Sequence, residues 1–208
     1  MMIGLILYAL GIVFVVAANI GYGPWEVFHA GLAYQTGLGI GTASIIAGVV
    51  ILIIVTLCKE KFGLGTIASM IITGVFIDLL ILLDVIPTPS NLAGGVAMLI
   101  LGLFTIAAGS YFYIKSAFGV GPRDNLMVVL ARKTKLPIGV CRGIVELSVM
   151  FAGWLIGGMV GIGTIIAGIS VGFCVQIVFA LFKFDATAVQ HETLKQTYVY
   201  LFTKKALQ

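Results

Sequence analysis

Six apolar segments of about 20 residues dominate the sequence and limit the folds open to it. An α-helix rises 1.5 Å per residue, so about 20 apolar residues cross the hydrocarbon core of a bilayer. Turn-forming stretches such as GLGIGT at 37–42 and PTPSN at 87–91 separate the segments. Thr66 and Thr164 are expected to be the N-caps of the third and sixth segments. The segments are residues 2–20, 42–58, 64–84, 93–114, 138–157 and 163–183. The sequence therefore predicts an all-α integral membrane protein with six transmembrane helices.

The composition excludes an ordinary soluble domain. Only 10% of the residues are charged and 61% are hydrophobic, whereas soluble domains carry about 25% charged residues. The net charge of +4 comes without a basic, aromatic-rich patch, so no nucleic-acid partner is expected. Cys58, Cys141 and Cys174 lie far apart in apolar segments, which predicts neither a disulfide framework nor a metal site. The expected partner is the lipid bilayer, and no cofactor is expected. Whether the protein forms a homo-oligomer stays open.

The basic residues predict the orientation. With six spans, eleven of the twelve Lys and Arg residues fall on one side of the membrane, and the twelfth, Arg142, lies inside a span. The positive-inside rule then places both termini in the cytoplasm. Trp25 and Trp154 are expected in an aromatic belt at the outer interface. The tail at 184–208 is expected to be a short cytoplasmic helix against the membrane.

The chain repeats itself with an offset of 98 residues. Positions 4–80 align with 102–178 without a gap, and 22 of the 77 pairs are identical, about three times the share that composition alone predicts. Each unit carries three spans, an odd number, so the two units must face opposite sides of the membrane. The predicted organisation is a first inverted repeat at 1–91, a second at 92–183, and the tail.

A short segment follows the first span of each repeat. GPWEVFHAGLAYQTG and GPRDNLMVVLARKTK each begin as a helix does, with Gly23 or Gly121 at the N-cap and Pro24 or Pro122 at the first position. Glu26 and Asp124 occupy the third position, where a carboxylate stabilises the positive helix end. These features predict half-helices at 24–35 and 122–133, which either re-enter the bundle or lie flat at the interface.

Charged and polar residues inside the spans are the other candidates for a site, because such residues are costly in a bilayer. Arg142 and Glu146 are one helical turn apart and are predicted to pair. Asp78, whose repeat counterpart is Gln176, could bind a proton or cation or could hydrogen-bond a neighbouring helix. Glu26 and Asp124, at equivalent positions of the two repeats, could line the outer and inner mouths of one pathway, and Arg123 would make the inner mouth the more basic one. The predicted solute or ion pathway therefore comprises Glu26, Asp78, Arg123, Asp124, Arg142, Glu146 and Gln176.

The stretches GYGPWEVFHAGL, GVGPRDNLMVVLARKTKLPIGVCRGIVELSVMFAGWLIGGMVGIGT and GISVGFCVQ resemble the YczE family of bacterial membrane proteins, loosely grouped with YitT-type proteins. The resemblance covers nearly the whole chain. It implies a small bacterial plasma-membrane protein of a family whose biochemical activity is not established, so it leaves the substrate open.

Inverted repeats are common in transporters, which bind solutes between the repeats. The sequence therefore predicts a small-solute transporter or channel with its site at the repeat interface. A substrate-binding membrane subunit of a larger transporter and a membrane scaffold or assembly factor remain as alternatives. No Ser/His/Asp set, His-rich motif or nucleotide loop is present, so an enzyme is not expected.

Overall fold

The computed structural model describes residues 1–60, 62–119, 121–136, 138–184 and 189, and within these the backbone alone of residues 124, 128, 138 and 139. Over these residues the chain forms eight α-helices and no β-strand. They are α1 Met2–Ala17, α2 Pro24–Thr36, α3 Ile40–Leu57, α4 Leu64–Leu82, α5 Leu92–Lys115, α6 Pro122–Thr134, α7 Ile138–Leu155 and α8 Ile162–Leu181. The predicted tail, apart from residues 184 and 189, lies outside the described residues.

The long helices have the length and surface of membrane helices. In the described part of the chain, α3, α4, α5 and α8 are each long and apolar enough to cross a bilayer, and α1 is a shorter apolar helix. Large apolar side chains such as Ile53, Leu82 and Phe173 are exposed on the outside of the bundle. Water would not tolerate so much exposed apolar surface, so this surface meets lipid.

Both short helices begin where the sequence predicts. Gly23 and Gly121 are the N-caps, and Pro24 and Pro122 are the first helical residues. Each helix has 13 residues and ends at a residue in the left-handed conformation, Gly37 with φ of 72° in one case and Lys135 with φ of 59° in the other. The predicted ends at residues 35 and 133 were each one residue early.

The starts of α4 and α8 differ from the sequence prediction. Thr66 and Thr164, expected as N-caps, are the third residues of their helices, and the caps are Gly63 and Gly161. Each threonine hydroxyl instead accepts a hydrogen bond from the N–H of its cap glycine, at 3.3 and 3.1 Å. Threonine therefore closes the first turn from inside, because a hydroxyl three residues into a helix can reach back to the cap.

Helices α1 and α5 cross at the centre of the bundle through glycines. A Cβ on Gly4 would approach the carbonyl oxygen of Gly109 to 2.9 Å, and a Cβ on Gly11 would approach that of Gly102 to 2.8 Å. Gly4 and Gly102 are repeat counterparts, as are Gly11 and Gly109. Small residues let the two backbones approach closely. Exchanging the two halves of the chain therefore converts the Gly4–Gly109 contact into the Gly11–Gly102 contact.

Hydrogen bonds at the starts of α4 and α8 are related by the same exchange of halves. The N–H of Gly163 donates to the carbonyl oxygen of Ile20 at 2.8 Å, and the N–H of Gly65 donates to that of Phe118 at 2.9 Å. Each partner in the second bond lies 98 positions from its counterpart in the first. The end of the first helix in each half is thus tied to the start of the last helix in the other half.

The remaining helices pack around this pair. Helices α2 and α3 form a helical hairpin, and so do α6 and α7; α2 packs against α7, while α6 packs against α3. Helix α4 packs along α1, and α8 packs along α5. One pair of equivalent helices packs differently in the two halves. Helix α3 packs closely along α4, whereas the described residues of α7 and α8 are hardly in contact.

Candidate functional site

A cavity of about 220 Å³ lies between the two halves of the bundle. Helices from both halves line it, and most of the lining is apolar. Its charged members among the described residues are Arg123, Arg142 and Glu146. Its other polar or aromatic members are Tyr8, Trp25, His29, Ser44, Ser69, Thr73, Ser110 and Tyr113. An apolar concave site with a few convergent polar groups is the common form of a small-molecule site.

The first turns of α2 and α6 meet beside this cavity. Nη1 of Arg123 lies 3.5 Å from Oε1 of Glu26, and the Arg123 guanidinium stacks 4.7 Å from the centre of the Trp25 ring. A Cβ on Gly23 would contact one carboxylate oxygen of Glu26, so a larger N-cap residue would displace that side chain. The two helix starts that the sequence placed in opposite repeats are therefore in direct contact.

Trp25 corrects one expectation. The sequence placed it in an aromatic belt at the outer interface, but only 7% of it is exposed. It belongs to a buried cluster with Ile51, Val55, Val129 and Val145. Trp25 lies in the first turn of α2, and that turn points into the bundle. Trp154, by contrast, is exposed, as a residue facing lipid would be.

Arg142 and Glu146 form the predicted ion pair. Nε of Arg142 donates to Oε1 of Glu146 at 2.9 Å. The Glu146 side chain is 19% exposed and that of Arg142 is 52% exposed, so the pair lies partly in the cavity and partly at its edge. Another ion pair joins Arg132 on α6 to Glu60, which follows the end of α3, at 2.7 Å, but neither residue lines the cavity.

His29 lies on α2, one turn after Trp25, and also lines the cavity. It is fully enclosed, with the Trp25 ring centre at 6.1 Å and the Phe28 ring centre at 6.2 Å. Together with Trp25 and Arg123 it forms an aromatic and cationic wall. This wall comes from α2 in the first half and α6 in the second half.

The structure places Asp78 away from the cavity. Its Oδ1 accepts a hydrogen bond from the N–H of Gly41 at 2.6 Å, and its Oδ2 accepts from the N–H and Oγ1 of Thr42 at 2.8 and 2.6 Å. Asp78 therefore satisfies the first turn of α3, whose backbone donors have no partner within the helix. Of the two roles that the sequence allows for Asp78, the structure shows the hydrogen bond to a neighbouring helix.

The other predicted residues differ in whether they line the cavity. Gly121 and Pro122 line the cavity, while Gly23, Pro24 and Glu26 lie behind the lining. Gln176 is exposed on α8 and does not line the cavity. The side chain of Asp124 lies outside the described part of the structure. A role in the pathway stays a prediction for Asp78, Gln176 and Asp124.

Several lining residues gave no signal in the sequence. Tyr8, Ser110 and Tyr113 belong to α1 and α5, where a hydroxyl in an apolar helix does not reveal which way it faces. Ser44 could have been found, because it is the repeat counterpart of Arg142 and also lines the cavity. Comparing the two repeats position by position would have shown this signal.

The arrangement can hold a small molecule by charge and by shape. Among the described residues, two guanidinium groups and one carboxylate project from a lining of apolar and uncharged polar side chains, and hydrogen bonds to charged groups are stronger than those between neutral groups. Among the described residues, no group of three His, Cys, Asp or Glu side chains is placed to hold a metal ion.

Comparison with known proteins gives a family and three relatives. A family model described as a family of unknown function, DUF6198, matches residues 1–180. The chain is 33% identical to the uncharacterized membrane protein YczE of Bacillus subtilis, over 83% of this chain and 80% of YczE. It is 32% identical to an uncharacterized protein of Haemophilus influenzae, over 84% of this chain and 81% of that protein. It is 28% identical to the uncharacterized protein YyaS of Bacillus subtilis, over 79% of this chain and 83% of YyaS.

No solved structure matches the chain. The apolar bundle and the similarity to a membrane protein along four fifths of the chain agree that this is a multi-pass membrane protein. With its family model matched over residues 1–180, the chain belongs to the DUF6198 family, and its identity to YczE confirms the resemblance to YczE that the sequence motifs indicate.

Proposed function

We propose that this protein is a small-solute transporter or channel whose site is the cavity between the two halves. One observation carries the proposal: helices from both halves line one cavity inside an apolar bundle, and the second half supplies three charged side chains to it, those of Arg123, Arg142 and Glu146. Charged groups are costly at membrane depth and usually serve ion or solute pathways. Solute sites of transporters built from repeats also lie at the repeat interface.

The proposal includes an architecture of six spans in two inverted repeats, with both termini in the cytoplasm of a bacterial cell. The exchanged contacts support it, because a two-fold axis in the membrane plane turns the Gly4–Gly109 contact into the Gly102–Gly11 contact. The meeting of Arg123 with Glu26 supports re-entrant half-helices over interfacial ones. Two flat helices on opposite surfaces would lie a bilayer thickness apart.

The functional test is flux and ligand stabilisation with purified protein in liposomes, screened over small metabolites. Arg142→Gln and Glu146→Gln are expected to lower flux at least about tenfold by removing a charge-assisted contact with the solute. Arg132→Gln is the matched control, because it removes the same guanidinium from an ion pair outside the cavity. The absence of flux and stabilisation for every solute class would contradict the proposal.

The same screen separates the alternatives. An ATPase module that co-purifies with the protein and is needed for flux would favour the membrane subunit of a larger transporter. Unchanged cellular function in both Arg142→Gln and Glu146→Gln would favour a scaffold or assembly factor.

The architecture has its own test in cysteine labelling. Single cysteines at 24–30 and at 122–128, in a chain whose three native cysteines are replaced, are expected to be protected in the first turn of each half-helix. Positions near the far ends are expected to react from opposite sides of the membrane. Uniform labelling of both segments, as for free interfacial helices, would contradict the re-entrant arrangement.

A further inference from the structure

A second cavity, of about 300 Å³, lies between the C-terminal ends of α1 and α4. It shares no lining residue with the first cavity. Its apolar members are Val13, Val16, Ala17, Leu80, Ile81 and Ile86. Its polar members follow the two helices and are Asn19, Tyr22, Asp84 and Thr88. The second cavity therefore has an apolar part between the helices and a polar end beyond them.

The equivalent place in the second half is filled by aromatic rings. Helices α5 and α8 are the repeat counterparts of α1 and α4. Near the ends of these helices, the Tyr111 ring stacks on the Phe182 ring with their centres 4.3 Å apart. Phe184 lies edge-on to Tyr111 at 5.1 Å and to Phe179 at 5.2 Å. The counterpart of Tyr111 in the first half is the smaller Val13, so the second cavity is space that side chains occupy in the other half.

An ammonium group belongs to that filled place. Nζ of Lys115 donates a hydrogen bond to the Tyr111 hydroxyl at 2.9 Å and lies 5.2 Å from the centre of the Tyr111 ring. The counterpart of Lys115 is Ala17, which lines the second cavity. The first half therefore lacks the four-carbon stem and the ammonium group that the second half takes from its own chain.

The second cavity carries the charge that attracts an ammonium group. Among the acidic side chains that the structure describes, Glu26, Glu60 and Glu146 each pair with an arginine. Asp78 accepts hydrogen bonds from the first turn of α3. Asp84 pairs with no basic side chain in the described part of the molecule. It is exposed, and it is the one charged side chain that the structure describes in this lining.

Uncharged oxygen atoms complete the polar end. They belong to the Asn19 amide and to the Tyr22 and Thr88 hydroxyls. Burial raises the pKa of the Tyr22 phenol above its usual value, so this group stays protonated at neutral pH and adds no second negative charge. A primary ammonium group has three hydrogen-bond donors and no acceptor. It therefore matches a lining with one carboxylate and several neutral acceptors.

We propose that the second cavity binds a small primary alkylammonium ion, with its nitrogen at Asp84 and its carbon chain against Val13 and Ala17. The bound ion takes the place that the Lys115 side chain holds in the other half. Two sources have this chemistry: a free amine and the ethanolamine head group of a phospholipid. The inference does not rest on the proposed transport function, because the two cavities share no lining residue.

The class of ligand is tested with n-butylammonium, which has the stem and charge of a lysine side chain. With the full chain in phosphatidylcholine nanodiscs, calorimetric titration is expected to show saturable binding. Butyltrimethylammonium, butanol and butanoate lack the N–H donors or the positive charge. They are expected to bind at least about tenfold more weakly. Equal or tighter binding of any of the three would overturn the assignment of a primary ammonium ion.

The position of the nitrogen is tested at the carboxylate. Asp84→Asn is expected to weaken n-butylammonium binding at least about tenfold by removing one charge-assisted contact. Asp84 has a φ of 47°, and asparagine also adopts this left-handed conformation, so the backbone is retained. Glu60→Gln, which removes a carboxylate outside the second cavity, is expected to leave the affinity unchanged. Equal affinity in the two variants would overturn the placement at Asp84.

The equivalence with Lys115 is tested by restoring its side chain in the first half. Ala17→Lys is expected to abolish n-butylammonium binding and to raise the Tm of the ligand-free protein above that of Ala17→Met, which adds a chain of similar length without charge. This difference in Tm is expected to disappear in the Asp84→Asn background. Unchanged n-butylammonium affinity in Ala17→Lys would overturn the equivalence. The Asp84→Asn comparison decides the binding site if Ala17→Lys disturbs folding.

The source of the ammonium group is tested with the lipid. Phosphatidylethanolamine in the nanodiscs is expected to weaken the apparent affinity for n-butylammonium if the lipid head group is the occupant, and to leave it unchanged if a free amine is. Binding of n-butylammonium without flux of any solute would refute transport and keep this inference. Flux without n-butylammonium binding would keep transport and refute this inference.

Discussion

The α3–α4 and α7–α8 helix pairs occupy equivalent positions in the two halves but differ in packing. In the first pair, Gly41 and Gly74 bring the backbones together and Met70 fills the remaining space over Gly48. In the second, Arg142 and Glu146 replace Ser44 and Gly48, and Gly168 replaces Met70. Two charges and the loss of one large side chain thus distinguish a sealed interface from one in which the described side chains leave a gap. A duplicated fold can therefore gain a site by changing few positions in one copy.

The largest expected effect compares two glycines at the same repeat position. Gly74→Ala is expected to destabilise the protein by about 3 kcal/mol, because its Cβ would meet the Gly41 carbonyl oxygen at 2.6 Å. Gly172→Ala is expected to be neutral or to stabilise by up to about 1 kcal/mol, since the Cβ enters open space and Ala favours helix. Reversible unfolding in mixed detergent micelles measures both.

Equal destabilisation by the two alanines would show that α7 and α8 close in the membrane as α3 and α4 do. The contrast between the two helix pairs would then disappear.

A smaller effect is expected where a side chain caps a helix. Asp78→Ala is expected to cost about 2 kcal/mol, because it leaves the N–H groups of Gly41 and Thr42 without their acceptor. Gln176→Ala, at the equivalent exposed position, is expected to change stability by less than about 0.5 kcal/mol. The same unfolding measurement applies. Loss of flux in Asp78→Ala with unchanged stability would instead support the pathway role that the sequence predicts.

The smallest effect is expected at the ion pair outside the cavity. Arg132→Gln is expected to cost less than about 1 kcal/mol, because most of the Arg132 side chain is exposed and water screens the pair with Glu60. Raising the salt concentration is expected to remove even this difference. A loss of several kcal/mol would mean that this pair holds α6 in place, and Arg132→Gln would then no longer serve as a control.

Much of the local structure could be predicted from the sequence. The half-helix starts at Pro24 and Pro122 follow from the Gly-Pro pairs, since proline suits the first helical position. The pairing of Arg142 with Glu146 follows from their spacing on one helix face. The prediction for Trp25 was wrong because its environment depends on the direction in which α2 points. The sequence of α2 does not indicate that direction.

The sequence by itself determined the membrane class, the helix limits and the 98-residue repeat, because hydropathy, turn residues and internal identity are local or linear properties. Only the tertiary structure decided that Arg123 meets Glu26, that Asp78 caps α3, and that no described atom fills the space beside Gly168. Each of these depends on which helices become neighbours. That choice is made by close glycine contacts between distant segments, whose partners cannot be read from either segment alone.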